Sequence, residues 1–376
     1  MQTMGAALLM VQLSASPHMV ALVQTALTLP IFLLVVLGGK LADQINRRTY
    51  LLFAHGFMAL IALGLSLLVS LKIMTPELLL CGLFLLGCGM AMRMPAWQAT
   101  MSSLVESDEI HSAASLNGMS FNFARAVGPA LTGILAQYLA ISLVFWLTFL
   151  FMLVMVLAFW RWRSPSAQNR AGLEQPYKSP SQVGFSPIFQ TKGFHALLIQ
   201  TFFLFLSFSC LWSLLPAFTA IYLHMTALSS GFLLGCLGAG AVAGGVCLPP
   251  LKAKMGINRC LCLAALLLGV VLVFIGLNTG RILLWLAVLG AGWSWALIAS
   301  SLNGTVQGLF PVAYRARGIS IYLMVMYGGT TFGSWIWGYL SLYRGVRASF
   351  FAASAVALFA CGLILKRTLH TQNAGV

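Results

Sequence analysis

Apolar runs of about twenty residues alternate with short polar turns along the whole chain. That length crosses ~30 Å of hydrocarbon as a helix. The shorter alternating strands of an outer-membrane barrel are absent. The pattern predicts spans over 1–14, 18–39, 49–71, 78–99, 113–137 and 140–160, then 193–222, 228–250, 260–277, 282–306, 318–341 and 347–365. Between the two sets lies a polar stretch, 161–192, carrying Arg161, Arg163, Arg170, Glu174 and Lys178 with Pro165, Pro176, Pro180 and Pro187. Its composition reads as a flexible linker. The expected organisation is an N-terminal bundle at 1–160, a linker at 161–192 and a C-terminal bundle at 193–376.

Composition agrees with a membrane chain. Of 376 residues, 60% are hydrophobic and only 7% charged, against roughly 25% charged in a soluble domain. The formal charge of +15 could signal nucleic acid, but the basic residues stand singly between apolar runs, so no nucleic-acid partner is expected. If the turn at 40–48 is cytoplasmic, then Lys40, Arg47, Arg48, Arg93, the linker, Lys252, Lys254, Arg259, Arg315, Arg317, Lys366 and Arg367 are inside. Only Lys72, Arg281, Arg344 and Arg347 are then outside. That asymmetry predicts both termini in the cytoplasm.

The first span is unusual, because Met1 falls within the bilayer and residues 1–14 reach only ~21 Å. Helix 1 therefore reads as truncated at its N-terminus, as a fragment or a late start would produce. A signal peptide lacks support, since no basic n-region or cleavage site is evident.

The chain gives little to enzymology. The eight cysteines form no CxxC pair and the six histidines no i, i+4 pair, so no metal or cofactor is expected. No GxSxG, HExxH or paired Asp lies in a span. The acids are Asp43, Glu77, Glu106, Asp108, Glu109 and Glu174, and none lies deep in a span.

Two features repeat between the halves. Gly128 and Gly133 in the fifth span are five apart, as are Gly333 and Gly338 in the eleventh. The turn Gly38-Gly39-Lys40-Leu41-Ala42-Asp43-Gln44-Ile45-Asn46-Arg47-Arg48 has a weaker copy at Lys252-Ala253-Lys254-Met255-Gly256-Ile257-Asn258-Arg259. The first turn resembles the helix 2–3 loop of the major facilitator superfamily, whose pattern is G-x-L-A-D-R-x-G-R-R/K. Gly39, Leu41, Ala42, Asp43, Arg47 and Arg48 match it, whereas Gln44 and Asn46 depart from it. The resemblance implies an all-α membrane protein of two six-helix bundles with a site between them near the midplane.

It also implies roles for the turn. Gly39 permits close helix approach, and Asp43 sits near the N-terminus of a helix beginning near Gly318. Arg47 and Arg48 pair with Glu106, Asp108 or Glu109, latching the inner gate. Asn46, in place of glycine, would tolerate a left-handed turn.

The fifth span carries Asn117-Gly118-Met119-Ser120-Phe121-Asn122-Phe123-Ala124-Arg125-Ala126-Val127-Gly128-Pro129-Ala130-Leu131-Thr132-Gly133. Gly128-Pro129 with Gly133 resembles the antiporter signature of facilitator-type exporters, although Ala124 and Ser115 replace its usual glycines. The stretch from Pro95 to Gly133 resembles the branch containing bacterial siderophore (enterobactin-type) and drug exporters. Pro129 would bend the helix and the glycines would pack it tightly.

Arg125 falls twelve residues into this span, ~18 Å from its end. A lone charge there costs roughly 2.5–3.5 kcal/mol on insertion scales. Two readings stand: an anchor for an anionic or polyphenolic cargo or part of the coupling machinery, and an interhelical tie to Asn122, Gln98 or backbone carbonyls. Other candidates for the cavity wall are Trp97, Gln98, Phe121, Asn122, Trp212, Tyr222, Trp293, Trp295, Asn303 and Gln307, the mix of apolar and polar groups that suits amphipathic cargo.

The expected function is secondary transport by alternating access, exporting a small amphipathic molecule, with the proton as coupling ion and the chain a monomer in the lipid bilayer of a bacterial inner membrane. The alternatives are a nutrient importer or uniporter, and an inactive fragment or scaffold lacking the start of helix 1.

Overall fold

The computed structural model describes residues 1–101, 109–162, 186–191, 193–278, 280–310, 312–366 and 369. The first half comprises α1 (Gln2–Leu13), α2 (Pro17–Gln44), α3 (Arg47–Ser70), α4 (Pro76–Met101), α5 (Ile110–Tyr138) and α6 (Ile141–Arg161). After a short turn of helix at Ser186–Gln190 come α7 (Phe194–Ala217, continued by a π-turn at Phe218–Tyr222), α8 (Ala227–Met255), α9 (Ile257–Leu277) and α10 (Arg281–Leu309). The helix Val312–Lys366 contains Gly345 at φ 78°, ψ 161°. This break divides it into α11 (312–344) and α12 (346–366), because a side-chain-bearing residue would be strained there.

The result is an all-α protein of two six-helix bundles, with helices at all twelve expected positions. Nine helices among the described residues are long and apolar enough to cross a membrane, with α11 and α12 counted together. The two others of the twelve are α1, with twelve residues, and α5, diluted by Asn117, Ser120, Asn122 and Arg125.

Helices in lipid gain little from hydrophobic contact with one another, so small residues and interhelical hydrogen bonds hold them. In the second half Ser294 Oγ donates to the Ala264 carbonyl at 2.6 Å, joining α10 to α9. Ser354 Oγ donates to Gly269 at 2.8 Å, joining α12 to α9. Ser207 Oγ donates to Ala353 at 2.7 Å, joining α7 to α12. One buried cluster fills this half and reaches Ile31, Val35 and Ala91 of the first. A second cluster lies mainly within the first half, around Met10, Val23, Met58, Leu83 and Phe145.

The repeated glycines occupy equivalent places. A Cβ on Gly128 would lie 2.9 Å from the Met1 nitrogen beside α1, and one on Gly133 would lie 2.7 Å from the Ala227 carbonyl of α8. A Cβ on Gly333 would lie 2.6 Å from the Leu206 carbonyl of α7, and one on Gly338 would lie 2.7 Å from Ala21 Cβ of α2. In each half the first glycine thus meets a neighbour from its own bundle, and the second makes a contact between halves. Thr331 and Thr28 hydroxyls, 2.9 Å apart, add a polar link between α11 and α2.

The charged turn departs from expectation at Asn46. Asn46 has φ −56° and caps α3, its Oδ1 accepting from the Arg48 amide at 3.0 Å. No left-handed residue is needed, because a side-chain cap supplies the turn. In the second copy Gly256, at φ 76°, makes the turn instead. Arg48 turns to α6, with Nε donating to the Phe159 carbonyl at 3.1 Å and Nη2 to that of Trp160. It satisfies the C-terminal carbonyls of a helix, while Glu106 and Asp108, two of the acids expected to pair with it, lie outside the described residues.

Candidate functional site

The site begins with the packing of α5. A Cβ on Gly238 of α8 would collide with the Ala126 backbone. The missing side chain therefore lets α8 approach α5 next to Arg125. Farther along, Gly133 and Gly231 face each other, a Cβ on Gly231 lying 2.8 Å from Gly133 Cα. On its other side α8 meets α10, where a Cβ on Gly244 would lie 2.6 Å from the Trp293 carbonyl and one on Gly292 would strike that of Leu237. Glycine contacts thus stack α5, α8 and α10 closely enough to bring Trp295 over Arg125.

Three rings surround the guanidinium. Its carbon lies 4.5 Å from the Trp212 centroid, 4.6 Å from that of Trp295 and 4.9 Å from that of Phe121. Phe121 belongs to the first half and both tryptophans to the second. The tryptophans touch each other, with centroids 4.4 Å apart, and both pack on Phe208 at 4.9 Å. Each cation–π contact contributes about 0.5–2 kcal/mol, depending on desolvation. A ring face accepts no in-plane hydrogen bond, however, and Arg125 Nη1 is shut off from solvent without a partner.

Tyr327 of α11 adds a hydroxyl within electrostatic reach of both Arg125 and Arg93. Among the described residues it donates only to the Met94 sulfur, at 3.5 Å, a weak acceptor. Arg93, assigned from sequence to the basic side, lies eight residues before the end of α4 at Met101, ~12 Å along it. The same depth argument that singled out Arg125 could have found it. Tyr327, Phe208 and Met94 had no distinguishing sequence signal, since aromatic and methionine residues are spread through the spans.

One side of the site is open. From Leu116 to Ala124 the described side chains of α5 are exposed around the helix, apart from half-buried Asn122, and Phe121 is 60% exposed. Beyond Arg125 the helix is packed against α8. The halves part along α5 on the charged-turn side and meet at the opposite end. The α2–α11 edge stays in register even on the charged-turn side, where a Cβ on Gly39 would lie 3.8 Å from Ser320 Oγ.

The other candidates divide. Phe121 joins Arg125, and Asn122 lies nearly one turn before it on α5. Trp97 is elsewhere: its Nε1 donates to Asn117 Oδ1 at 3.3 Å, and its ring meets Phe159 edge-on at 6.4 Å, tying α4 to α5 and α6. Trp293 supports the α8–α10 contact through its backbone, while Trp295 supplies the ring. Asn303 Nδ2 donates to the Ala299 carbonyl of its own helix at 2.8 Å.

Tyr222 and Gln307 are exposed. The side chains of Gln98 and Asp43, and Glu106 and Asp108 entirely, lie outside the described residues, while Glu109 and Glu77 are exposed. Arg47 is half-exposed. Gly128, Pro129 and Gly133 follow Arg125 on α5, and Pro129, lacking an amide hydrogen, leaves the carbonyl of residue 125 without its intrahelical partner. Among the described residues no group of His, Cys, Asp and Glu could hold a metal ion.

Comparison with known proteins agrees with this architecture. The MFS_3 family, described as transmembrane secretion effector, matches residues 1–374. The nucleoside transporter NupG superposes with a TM-score of 0.75 at 12% identity, covering 98% of this chain and 95% of that one. A D-xylose–proton symporter gives 0.75 at 13%, covering 100% and 98%. The human organic anion transporter MFSD10 gives 0.63 at 17%, covering 92% and 83%. At these identities the likeness establishes the fold. No match is found among curated proteins.

Proposed function

The chain belongs to the transmembrane secretion effector family of MFS transporters, and we propose that it exports a small amphipathic molecule, siderophore- or drug-like, by alternating access. The observation that carries this reading is the ring-lined Arg125, whose unpartnered Nη1 lies where side chains of both halves converge. A charge left unpaired within a span marks a solute pathway by default. Because its rings come from both bundles, rocking of one against the other changes its surroundings.

In this reading residues 1–160 and 193–376 are the moving bundles and 161–192 joins them. The charged-turn side is the cytoplasm of a bacterial cell, both termini are cytoplasmic, and the chain acts as a monomer in the inner membrane. The open state then receives cargo from inside. Closing the exposed half of α5 against the second bundle, with separation at Gly133/Gly231 and Gly338/Ala21, would release it outside. Asp43 and Gly39 hold the inner end of α2 at α11 during part of the cycle. Protons are the coupling ion implied by the resemblance to antiporters.

The test is accumulation of labelled catecholate siderophore and aromatic dyes in cells making the chain or its Arg125→Ala variant, with and without an uncoupler. Lower accumulation that the uncoupler and the substitution each reverse supports export. Unchanged accumulation of every cargo, with the chain shown to reach the membrane, refutes it.

A further inference from the structure

Nη1 of Arg125 has no partner, and neither has the fully buried Tyr322 hydroxyl. The Tyr327 hydroxyl, within electrostatic reach of both arginines, meets among the described residues only a thioether. Among the described residues no carboxylate partners Arg125 Nη1 or the Tyr322 hydroxyl. The chain's six acids are Asp43, Glu77, Glu106, Asp108, Glu109 and Glu174, and those within the described helices go no deeper than a terminal turn. What completes this set must bring acceptors, and at a buried guanidinium a charged acceptor is favoured over a neutral one.

The rings define the rest of the ligand. Trp212, Trp295 and Phe121 crowd around the guanidinium carbon and leave an edge, Nη1, unsatisfied. A planar carboxylate meets such an edge in the guanidinium plane. Its attached group would then lie against Phe121, which stands at the open side and is the most exposed of the three rings. Ring stacking favours a flat aromatic group there over a puckered saturated one.

We infer that this site takes an aromatic monoanion, its carboxylate or equivalent acceptor on Arg125, and its ring against Phe121 and Trp212. The inference rests on the export reading for its biological sense, but its test needs no transport. Purified protein in nanodiscs is dialysed against tritiated 2-naphthoate, the neutral 2-naphthamide, the cationic 2-naphthylmethylammonium and the saturated decalin-2-carboxylate.

Naphthoate is expected to bind at least about tenfold more tightly than each of the other three. Arg125→Gln should erase its advantage over naphthamide. Arg125→Lys should keep the preference for anion over amide while weakening naphthoate itself, because an ammonium lacks the planar edge. Phe121→Leu, at an exposed position where folding is not at risk, should erase the advantage over decalin-2-carboxylate.

Equal binding of naphthamide or of the cation overturns the anionic assignment, and equal binding of the saturated acid overturns the aromatic one. No naphthoate binding to folded protein overturns both. Naphthoate binding in a protein that exports nothing upholds the inference and refutes the export reading. Export of other cargo without naphthoate binding does the reverse.

Discussion

Replacing Arg125 with methionine separates a binding cation from a structural tie, because the two predict opposite balances of stability and binding. Methionine keeps an unbranched chain of similar reach and removes the charge. Placing an arginine near the centre of a span costs roughly 2.5–3.5 kcal/mol on insertion scales. Three ring contacts at 4.5, 4.6 and 4.9 Å offset about 0.5–2 kcal/mol each, or about 1.5–6 kcal/mol together. At the middle of these ranges the two nearly cancel, and Arg125→Met should change folding stability by no more than about 2 kcal/mol in either direction. Naphthoate, in contrast, would lose a hydrogen bond to a charged group, about 1.5–3 kcal/mol, which is about 10–150-fold in affinity. Denaturant titration in mixed micelles gives the first quantity and equilibrium dialysis the second. A loss of about 3–5 kcal/mol in stability, as when one partner of a buried ion pair is removed, with naphthoate affinity unchanged, would refute the reasoning and establish Arg125 as a tie.

Three further outcomes follow from the geometry. Gly133→Val places branches where even a Cβ would lie 2.7 Å from the Ala227 carbonyl. Overpacking of about 1–3 kcal/mol should shift the population toward the state in which α5 and α8 part at that end, read as faster labelling of single cysteines introduced there; unchanged labelling counts against a gating role for this contact. Arg48→Met removes the donor to the Phe159 and Trp160 carbonyls and should lower stability by about 1 kcal/mol without altering flux per folded molecule; a flux defect in fully folded protein would favour a latch role instead. Finally, an anionic cargo crossing without a compensating charge feels ~2.3 kcal/mol per charge per 100 mV, about a 50-fold bias at equilibrium. A potassium–valinomycin potential in proteoliposomes without a pH gradient should therefore drive naphthoate toward the positive side. Indifference to the potential would mean that a co-moving charge, such as a proton, neutralises it.

Much of the architecture was legible because a bilayer enforces simple rules. Backbone in hydrocarbon must satisfy itself, so long apolar runs become helices, and the helices lie at the expected positions. The turn at Asn46 shows where local rules were insufficient. Sequence indicated a residue able to replace glycine, but the same asparagine can cap a helix, and the side-chain bond to the Arg48 amide decides between those uses. Arg93 shows a different miss: its charge was counted as a topology signal, although its depth within α4 already set it apart.

The sequence by itself determined the membrane class, the twelve helical segments, the repeated glycine spacing and the isolation of Arg125 within its span, because length, hydropathy and the cost of a buried charge are local or nearly local properties. Only the tertiary structure decided that Trp212 and Trp295, rather than Trp97 or Trp293, stand over that guanidinium, and that Arg48 closes α6. Those choices depend on how far glycine at 133, 231, 238 and 292 lets neighbouring helices approach, and on which helix face then turns inward. Approach distance is a property of helix pairs, and no single helix carries it in its own pattern.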